Sequence, residues 1–433
     1  RTILHRDVHG VYVPGTEASS EEMKSLAFAI DKAGEGTLEI VSDWLDKEIE
    51  MSWMREYVEK SDCGLTVLQT SGDAVKTILF CEEQFLKGKN VRPQFPGRNV
   101  GMMFGLESSL HPFIGHPSYR EIADLPLSER VKIMKDPAFK EKLLNEKPNF
   151  ASEIEKSMNE QGNTKSQEEI KEAANLGLKL ISNYDTQFIL GDPPNYEPGK
   201  EDSIAALAKS KGIAELEVIY DEFLKNEGTN LVYACFTPYD NHKLDFVERA
   251  YSLKSSVAGG SDGGAHCGLI CDASMPTTNL SHWARDREAG KKIPIELIVR
   301  KQTKDTAETY GLFDRGEIKT GMLADLNIID FEKLNVTHPK MVYDLPLGGR
   351  RLIQTSSGYL ATVKSGEVVY EAGEATGVLP GKLIRGKQTC EVKTEKERVP
   401  FIDRTLRLMS VKAFKLLWNF RKSSVKTTVV SDD

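Results

Sequence analysis

The alternation of helix-like and strand-like segments between residues 20 and 260 constrains the fold more than any other feature of this sequence. The segment SEEMKSLAFAIDKAG places Met23, Ala27 and Ile30 on one helical face, and GTLEIVSDW follows it as a strand rich in β-forming residues. The same succession then repeats along the chain, giving at least five strand–helix units. Strict alternation of this kind predicts a parallel sheet with crossover helices.

Five or more such units favour a closed TIM-type (β/α)₈ barrel, with an open doubly wound sheet as the alternative. The first segment, RTILHRDVHG, begins at Arg1, has no targeting character and resembles the interior of a domain. We therefore expect a barrel that is incomplete at its amino-terminal side.

The patterning also predicts a division into domains. Residues 1–320 form the barrel portion, in which 148–175 are a polar and charged insertion. Residues 321–385 are β-rich, with strands in GMLADLNIID and TGVLPGKLIRG and a hairpin in KSGEVVYEAGE. Residues 386–433 are a charged tail, and its segment 404–422 is basic and amphipathic.

Composition narrows the classes of function. The chain has 39% hydrophobic residues and a formal net charge of −8, which argues against a nucleic-acid-binding protein. Its six cysteines are scattered without disulfide or zinc-ribbon spacing, so we expect a reducing, cytoplasmic location. The segment 404–422 could contact a membrane surface or a partner, and a plain surface helix or tail is the favoured alternative. Composition leaves the oligomeric state open.

In a barrel, chemistry takes place at the carboxyl ends of the strands. The side chains that follow the predicted strands are therefore the candidates for the site. They are His5, Arg6, Ser42, Asp43, Gln69, Gln94, Arg98, Phe236, Tyr239 and Asp262.

Asp262 lies in VAGGSDGGAHCG, directly after an apolar strand, and this stretch has two interpretations. Aspartate among glycines is ordinary turn chemistry, but glycine also lets backbone and substrate approach a general base closely. His266 could cap the following helix or bind substrate or metal. His5 could be structural, and Arg6 could pair with Asp7 or hold a carboxylate through its planar fork. The motifs HxH and HExxH do not occur in the sequence.

The segment GGSDGGAHCGLICDASMPT resembles the eighth-strand segment of the amidohydrolase superfamily, in particular its D-aminoacylase (N-acyl-D-amino-acid deacylase) branch. The segment ELIVRKQTKDTAETYGLFDRGEIKTGMLADLNIID resembles the next signature of that branch, a helix that leads into a hairpin. The stretches LHRDVHGVYVPGT and NVRPQFPGRNVGMMFGL are similar to it more loosely. The resemblance covers most of residues 1–386.

The resemblance implies a (β/α)₈ barrel with a small β-sandwich, and metal-assisted hydrolysis of a non-peptide linear amide such as an N-acyl-D-amino acid. Asp262 would be the general base and a ligand of a divalent metal, zinc being the expected ion. His5, Arg6, Arg98 and His266 would contact the small-molecule substrate.

The sequence departs from the family at the metal ligands, because Ser42, Asp43 and Gln69 stand where histidines are expected. Most metal ligands would therefore be missing from this chain. Two alternatives follow: a non-catalytic relative that serves interaction, and a cyclic-amide hydrolase of the same superfamily.

Overall fold

The computed structural model describes residues 13–389, except 17, 43, 45, 70–74, 151–174, 176, 238 and 264–266. The described residues divide into two compact units. One is drawn from Arg1–Tyr310 and Leu334–Ser357, and the other from Gly311–Lys333 and Gly358–Asp433.

A four-stranded parallel sheet organises the first unit. Its strands, in the order β1-β2-β3-β7, are β1 (Thr37–Ile40), β2 (Gly64–Leu68), β3 (Val91–Pro96) and β7 (Val257–Gly259). Three helices precede or link the first three strands: α1 (Ser20–Ala33), α2 (Lys47–Lys60) and α3 (Val75–Leu86). The parallel sheet with crossover helices that the sequence predicts is confirmed for these strands.

Apolar burial against one face of the sheet holds these helices in place. Leu65 and Val67 of β2 pack in one core with Met54 and Tyr57 of α2 and Ala27 of α1. The helix ends are specified locally, since Ser19 accepts a hydrogen bond from the Glu22 N–H at the start of α1 and Gly34 ends that helix with φ +85°. Helices α1 and α2 therefore form a well-packed layer against this face of the sheet.

Between β3 and β7 the chain makes a long excursion. It contains an antiparallel sheet in the order β4-β6-β5, formed by β4 (Val100–Phe104), β5 (Gln187–Ile189) and β6 (Val232–Thr237). Its helices are α4 (Pro117–Arg120), α5 (Leu127–Met134), α6 (Pro137–Asn145), α7 (Ile204–Lys211), α8 (Glu215–Phe223) and α9 (Asp245–Ser252). A second apolar core, which includes Phe104, Phe113, Tyr220 and Phe223, holds α4 to α8 together with this sheet.

The antiparallel sheet corrects one sequence prediction. The segment LVYACF was expected to be a parallel strand of the barrel, but β6 pairs antiparallel with β4 and β5. An apolar run buried on both faces has the same pattern in either kind of sheet, so the pattern could not distinguish them. A closed eight-stranded barrel is not established by the described strands.

The first unit continues through α10 (Met275–Ser281), a π-helical turn (His282–Asp286), α11 (Ile295–Gln302) and α12 (Lys304–Thr309). Four short strands complete it: β9 (Asn335–Val336) pairs with β12 (Ser356–Ser357), and β10 (Lys340–Leu345) pairs with β11 (Gly349–Ile353). Single 3₁₀ turns occur at Tyr184–Thr186, Lys200–Asp202, Asn226–Gly228, Asp240–His242, Phe331–Lys333 and Pro346–Gly348.

The second unit is an antiparallel sheet in the order β15-β14-β13-β8. Its strands are β8 (Leu326–Ile329), β13 (Tyr359–Lys364), β14 (Glu367–Glu371) and β15 (Glu374–Ala375). Ser365 and Gly366 join β13 to β14 with φ +53° and +86°, the positive values that a tight primed hairpin turn requires. The segment TGVLPGKLIRG, predicted to be a strand, contains none, because its proline and three glycines interrupt any ladder.

Most of the predicted insertion (148–175) and nearly all of the predicted tail (386–433, with the segment 404–422) lie outside the described residues. None of the helices described within residues 13–389 is long and apolar enough to cross a bilayer.

Candidate functional site

The carboxyl edge of the parallel sheet is the candidate site. Because β1, β2, β3 and β7 run in the same direction, the residues that follow them meet at one edge. The described residues there are Ser42, Gln69, Arg98 and Asp262. The sequence prediction assigned all four to strand ends, and the structure brings those strand ends together.

Asp262 follows β7 through a backbone that only glycine accommodates well. Gly260 has φ +78°, in the left-handed region. A Cβ on Gly259 would lie 2.6 Å from the side chain of Gln94 on the neighbouring strand. These glycines let the chain turn tightly out of the sheet, and the Asp262 side chain that follows is exposed. An exposed carboxylate at this edge is accessible to water and to a small molecule.

Arg98 follows β3 and is almost fully buried, with 1% of its side chain exposed. Its Nη2 atom donates a hydrogen bond to the Cys271 carbonyl at 3.0 Å and lies 3.1 Å from Oδ1 of Asp272. The guanidinium carbon lies 3.7 Å from the centre of the Tyr196 ring, and Nη1 donates to the Tyr233 hydroxyl at 3.4 Å. The partners of Arg98 in the described residues thus all belong to the protein, and its role as a substrate ligand stays a prediction.

Asp272 is the buried partner in this pair, with 2% of its side chain exposed. The close approach of its Oδ1 to Arg98 is not aligned as a hydrogen bond. Burial raises the pKa of Asp272 to about 6, although the charge of Arg98 lowers it, and the charge of Asp262 raises it further. Sequence reasoning missed Asp272, since an aspartate in ICDAS has no local signal for burial.

The backbone between the two aspartates is held to neighbouring strands. The carbonyl of Cys267 accepts from the Leu352 N–H at 2.7 Å, that of Gly268 from Ser109 at 3.0 Å, and that of Leu269 from Met103 at 2.7 Å. We call residues 260–274, apart from the undescribed 264–266, the Asp262 loop.

The ends of β1 and β2 carry no strong metal ligand among the described residues. Gln69 is 1% exposed, and its backbone N–H donates to the Gln94 carbonyl at 2.8 Å. The Ser42 hydroxyl accepts from the Trp44 N–H at 3.1 Å, which is turn geometry. Zinc prefers histidine, cysteine and carboxylate ligands, and a neutral amide or hydroxyl is a poor substitute.

The described residues hold no group of three or more histidine, cysteine, aspartate or glutamate side chains that could bind a metal ion. His5, Arg6, Asp43 and His266 lie outside the described residues. The described residues therefore do not supply the ligand set for the metal that the resemblance implies. Asp262 is the one predicted metal ligand among them.

Phe236 and Tyr239 do not belong to this edge, because Phe236 lies within β6 of the antiparallel sheet and Tyr239 follows that strand. Phe236 is 41% exposed, and the buried Tyr239 donates its hydroxyl proton to the Pro198 carbonyl.

A second ionic cluster lies around Glu197, which is also buried. Arg287 donates two parallel hydrogen bonds to the Glu197 carboxylate, at 2.9 Å and 3.0 Å, and His282 Nε2 lies 2.8 Å from it. Nη1 of Arg287 also binds Glu248 at 2.5 Å. Burial alone would raise the pKa of Glu197, but the hydrogen bonds from His282 and Arg287 lower it to about 2. This cluster has the satisfied geometry of a structural network.

One stretch of the chain matches a known protein family. The profile of the amidohydrolase family matches residues 194–370, which include the Asp262 loop. The match confirms the resemblance to the amidohydrolase superfamily over that range. No curated protein sequence is detectably similar to the chain.

Solved structures of D-aminoacylase are similar to the chain at 15% identity. One concerns the binuclear metal centre of that enzyme, with a TM-score of 0.43, and another is a mutant in complex with copper chloride, with a TM-score of 0.44. Each comparison covers 85% of this chain and 59% of the D-aminoacylase chain, so the chain spans less than two thirds of that length.

Proposed function

We propose that this chain, which carries the amidohydrolase signature over residues 194–370, hydrolyses the carbon–nitrogen bond of linear amides, with N-acyl-D-amino acids as the substrate class. The observation that carries the proposal is the position of Asp262. It is an exposed carboxylate after a glycine turn, at the carboxyl edge of a parallel sheet, within the range that the family profile matches.

In the proposed reaction a water molecule attacks the amide carbonyl carbon while the Asp262 carboxylate accepts a proton from that water. The carbon–nitrogen bond then breaks, and the same proton passes from Asp262 to the departing nitrogen. The products are a carboxylic acid and an amine, and Asp262 returns to its ionised state. The acid then loses its own proton to the amine or to water, which leaves the carboxylate.

A closed (β/α)₈ barrel and a divalent metal, zinc by expectation, belong to this proposal as well. D-aminoacylase, to which the chain is similar, has a binuclear metal centre. The described side chains at the sheet edge do not supply such a ligand set, so we assign no step of the reaction to a metal. The roles of His5, Arg6 and His266 in substrate binding are likewise proposals.

Substitution of Asp262 by asparagine in the full-length protein tests the function. We expect kcat/KM for N-acetyl-D-amino acids to fall by about 10²- to 10⁴-fold, since this is the usual contribution of general acid–base catalysis. Initial rates of free amino acid release measure it, with N-acetyl-L-amino acids as the stereochemical comparison.

The matched control is Asp62→Asn, because Asp62 is a fully exposed aspartate at the amino end of β2 and far from the carboxyl edge. It should leave kcat/KM unchanged. A kcat/KM of Asp262→Asn equal to that of the wild type would refute the role of Asp262. If the wild type itself hydrolyses none of these amides, the non-catalytic alternative is favoured.

A further inference from the structure

We infer that Arg98 and Asp272 together anchor the Asp262 loop to the sheet edge and so position the Asp262 carboxylate. This role deepens the proposed function, on which its catalytic part rests. It gives Arg98 a task other than substrate binding, and it assigns Asp272, which follows from no sequence motif, to the site.

The first support is how the Asp262 loop is held. The carbonyls of Cys267, Gly268 and Leu269 accept hydrogen bonds from backbone N–H groups of adjacent segments. At Cys271 the donor changes, and the Arg98 guanidinium takes over at 3.0 Å. The Cys271 carbonyl is therefore held by a charged side chain, and Asp272 beside it supplies the opposite charge.

The second support is that Arg98 is itself immobilised. It is stacked on the Tyr196 ring, and Tyr233, to which it donates, is in turn fixed by hydrogen bonds of 2.8 Å to the carbonyl and side-chain oxygens of Asn99. A planar guanidinium with few remaining rotamers loses little entropy when it binds the loop. An anchor of this kind transmits the position of β3 to the loop that follows β7.

The third support is the placement of the pair in the chain. Arg98 follows β3 and Asp272 lies beyond the end of β7, and these two strands are hydrogen-bonded neighbours. The Asp272 carbonyl accepts from the Met275 N–H at 2.9 Å, at the start of α10. The pair thus joins the end of one strand, the loop of the next and the following helix at one point.

The test is a double substitution, Arg98→Met with Asp272→Leu, in the full-length protein. Removing both charges avoids leaving an unpaired buried ion, so the fold should be retained. We expect amide hydrogen exchange of residues 260–275 to become about tenfold faster, with little change elsewhere, because the loop loses its side-chain contacts to Arg98. We also expect kcat to fall about a hundredfold with KM nearly unchanged, as for a displaced reacting group.

The matched control is Lys301→Met with Asp305→Leu. That pair is equally buried, with its Nζ and Oδ2 atoms 3.1 Å apart, but Lys301 contacts the Ser256 carbonyl at the opposite, amino end of β7. It should leave exchange in residues 260–275 unchanged.

If exchange in the loop is unaltered in a double variant whose Tm equals that of the wild type, the anchor is refuted. Should the double variant fail to fold, Arg98→Lys gives the same decision, since it keeps the charge and removes the fork. If loop exchange is faster in the double variant but the wild type hydrolyses no amide, the anchor is retained and the proposed function is rejected. The failure of one proposal is therefore distinguishable from the failure of the other.

Discussion

The first unit contains two buried clusters in which a carboxyl group lies against an arginine, and the pKa values of the two carboxyls are shifted in opposite directions. Glu197 receives two parallel hydrogen bonds from Arg287 and one contact from His282, and its pKa falls to about 2. Asp272 has one close approach to Arg98 without hydrogen-bond alignment, and its pKa rises to about 6. Burial raises the pKa of both carboxyls, and the aligned hydrogen bonds to Glu197 outweigh it where the single ion-pair contact to Asp272 does not.

The two clusters also differ in how completely their polar groups are paired. The Glu197 carboxylate accepts two parallel hydrogen bonds from Arg287 and contacts His282. The Asp272 cluster is incompletely satisfied and lies behind the exposed Asp262. Functional regions commonly retain such incompletely paired polar groups.

Among substitutions that test this comparison, Arg287→Met should have the largest effect. It leaves the buried Glu197 carboxylate without its two parallel hydrogen bonds, and we expect the free energy of unfolding to fall by about 3–5 kcal/mol. Urea denaturation measures the loss. Arg55→Met is the control, since Arg55 is 48% exposed and lies 3.9 Å from Glu48, and it should cost no more than about 1 kcal/mol. Equal losses in the two variants would contradict the account.

The dependence of stability on pH sharpens the comparison, because the two carboxyls should have opposite slopes. The pKa of Glu197 is lowered from 4.5 to about 2, so its contribution to the free energy of unfolding is complete above 4.5 and is lost as the pH falls towards 2. The pKa of Asp272 is raised from 3.8 to about 6, so its contribution declines as the pH rises from 3.8 to 6. Each change should be on the order of 3 kcal/mol.

Unfolding free energies of the wild type, Glu197→Gln and Asp272→Asn across this pH range measure both slopes. The slope that belongs to each carboxyl should disappear in its own variant and persist in the other. A wild-type slope between pH 4 and 6 that Asp272→Asn leaves unchanged would show that Asp272 is ionised there.

The smallest expected effect is that of His282→Leu. One contact of 2.8 Å to Glu197 is lost while both hydrogen bonds from Arg287 remain, so we expect a loss of about 1 kcal/mol, by the same urea measurement. A loss as large as that of Arg287→Met would show that His282, and not the arginine, determines the state of Glu197.

The sequence was sufficient for the features that depend on local pattern. The parallel strands and their helices follow from periodicity. The position of Asp262 directly after a strand follows from the same pattern, whereas its role as a general base came from the family resemblance and stays a prediction. The antiparallel sheet was not predictable, because pairing direction depends on partners distant in the chain. The burial of Arg98 could not be predicted for the same reason, because the residues that surround it are all remote in sequence: Tyr196, Tyr233 and Asp272.

The excursion between β3 and β7 has a consequence for how such a chain can vary. It departs at the carboxyl end of β3 and returns at the amino end of β7, and because the two strands are parallel these two points lie at opposite edges of the sheet. The pairing of β3 with β7 and the Arg98–Asp272 contact at the carboxyl edge do not depend on the length of the excursion. Because the entropy cost of closing a loop grows only slowly with its length, the excursion can grow, shrink or be exchanged while the sheet keeps its register.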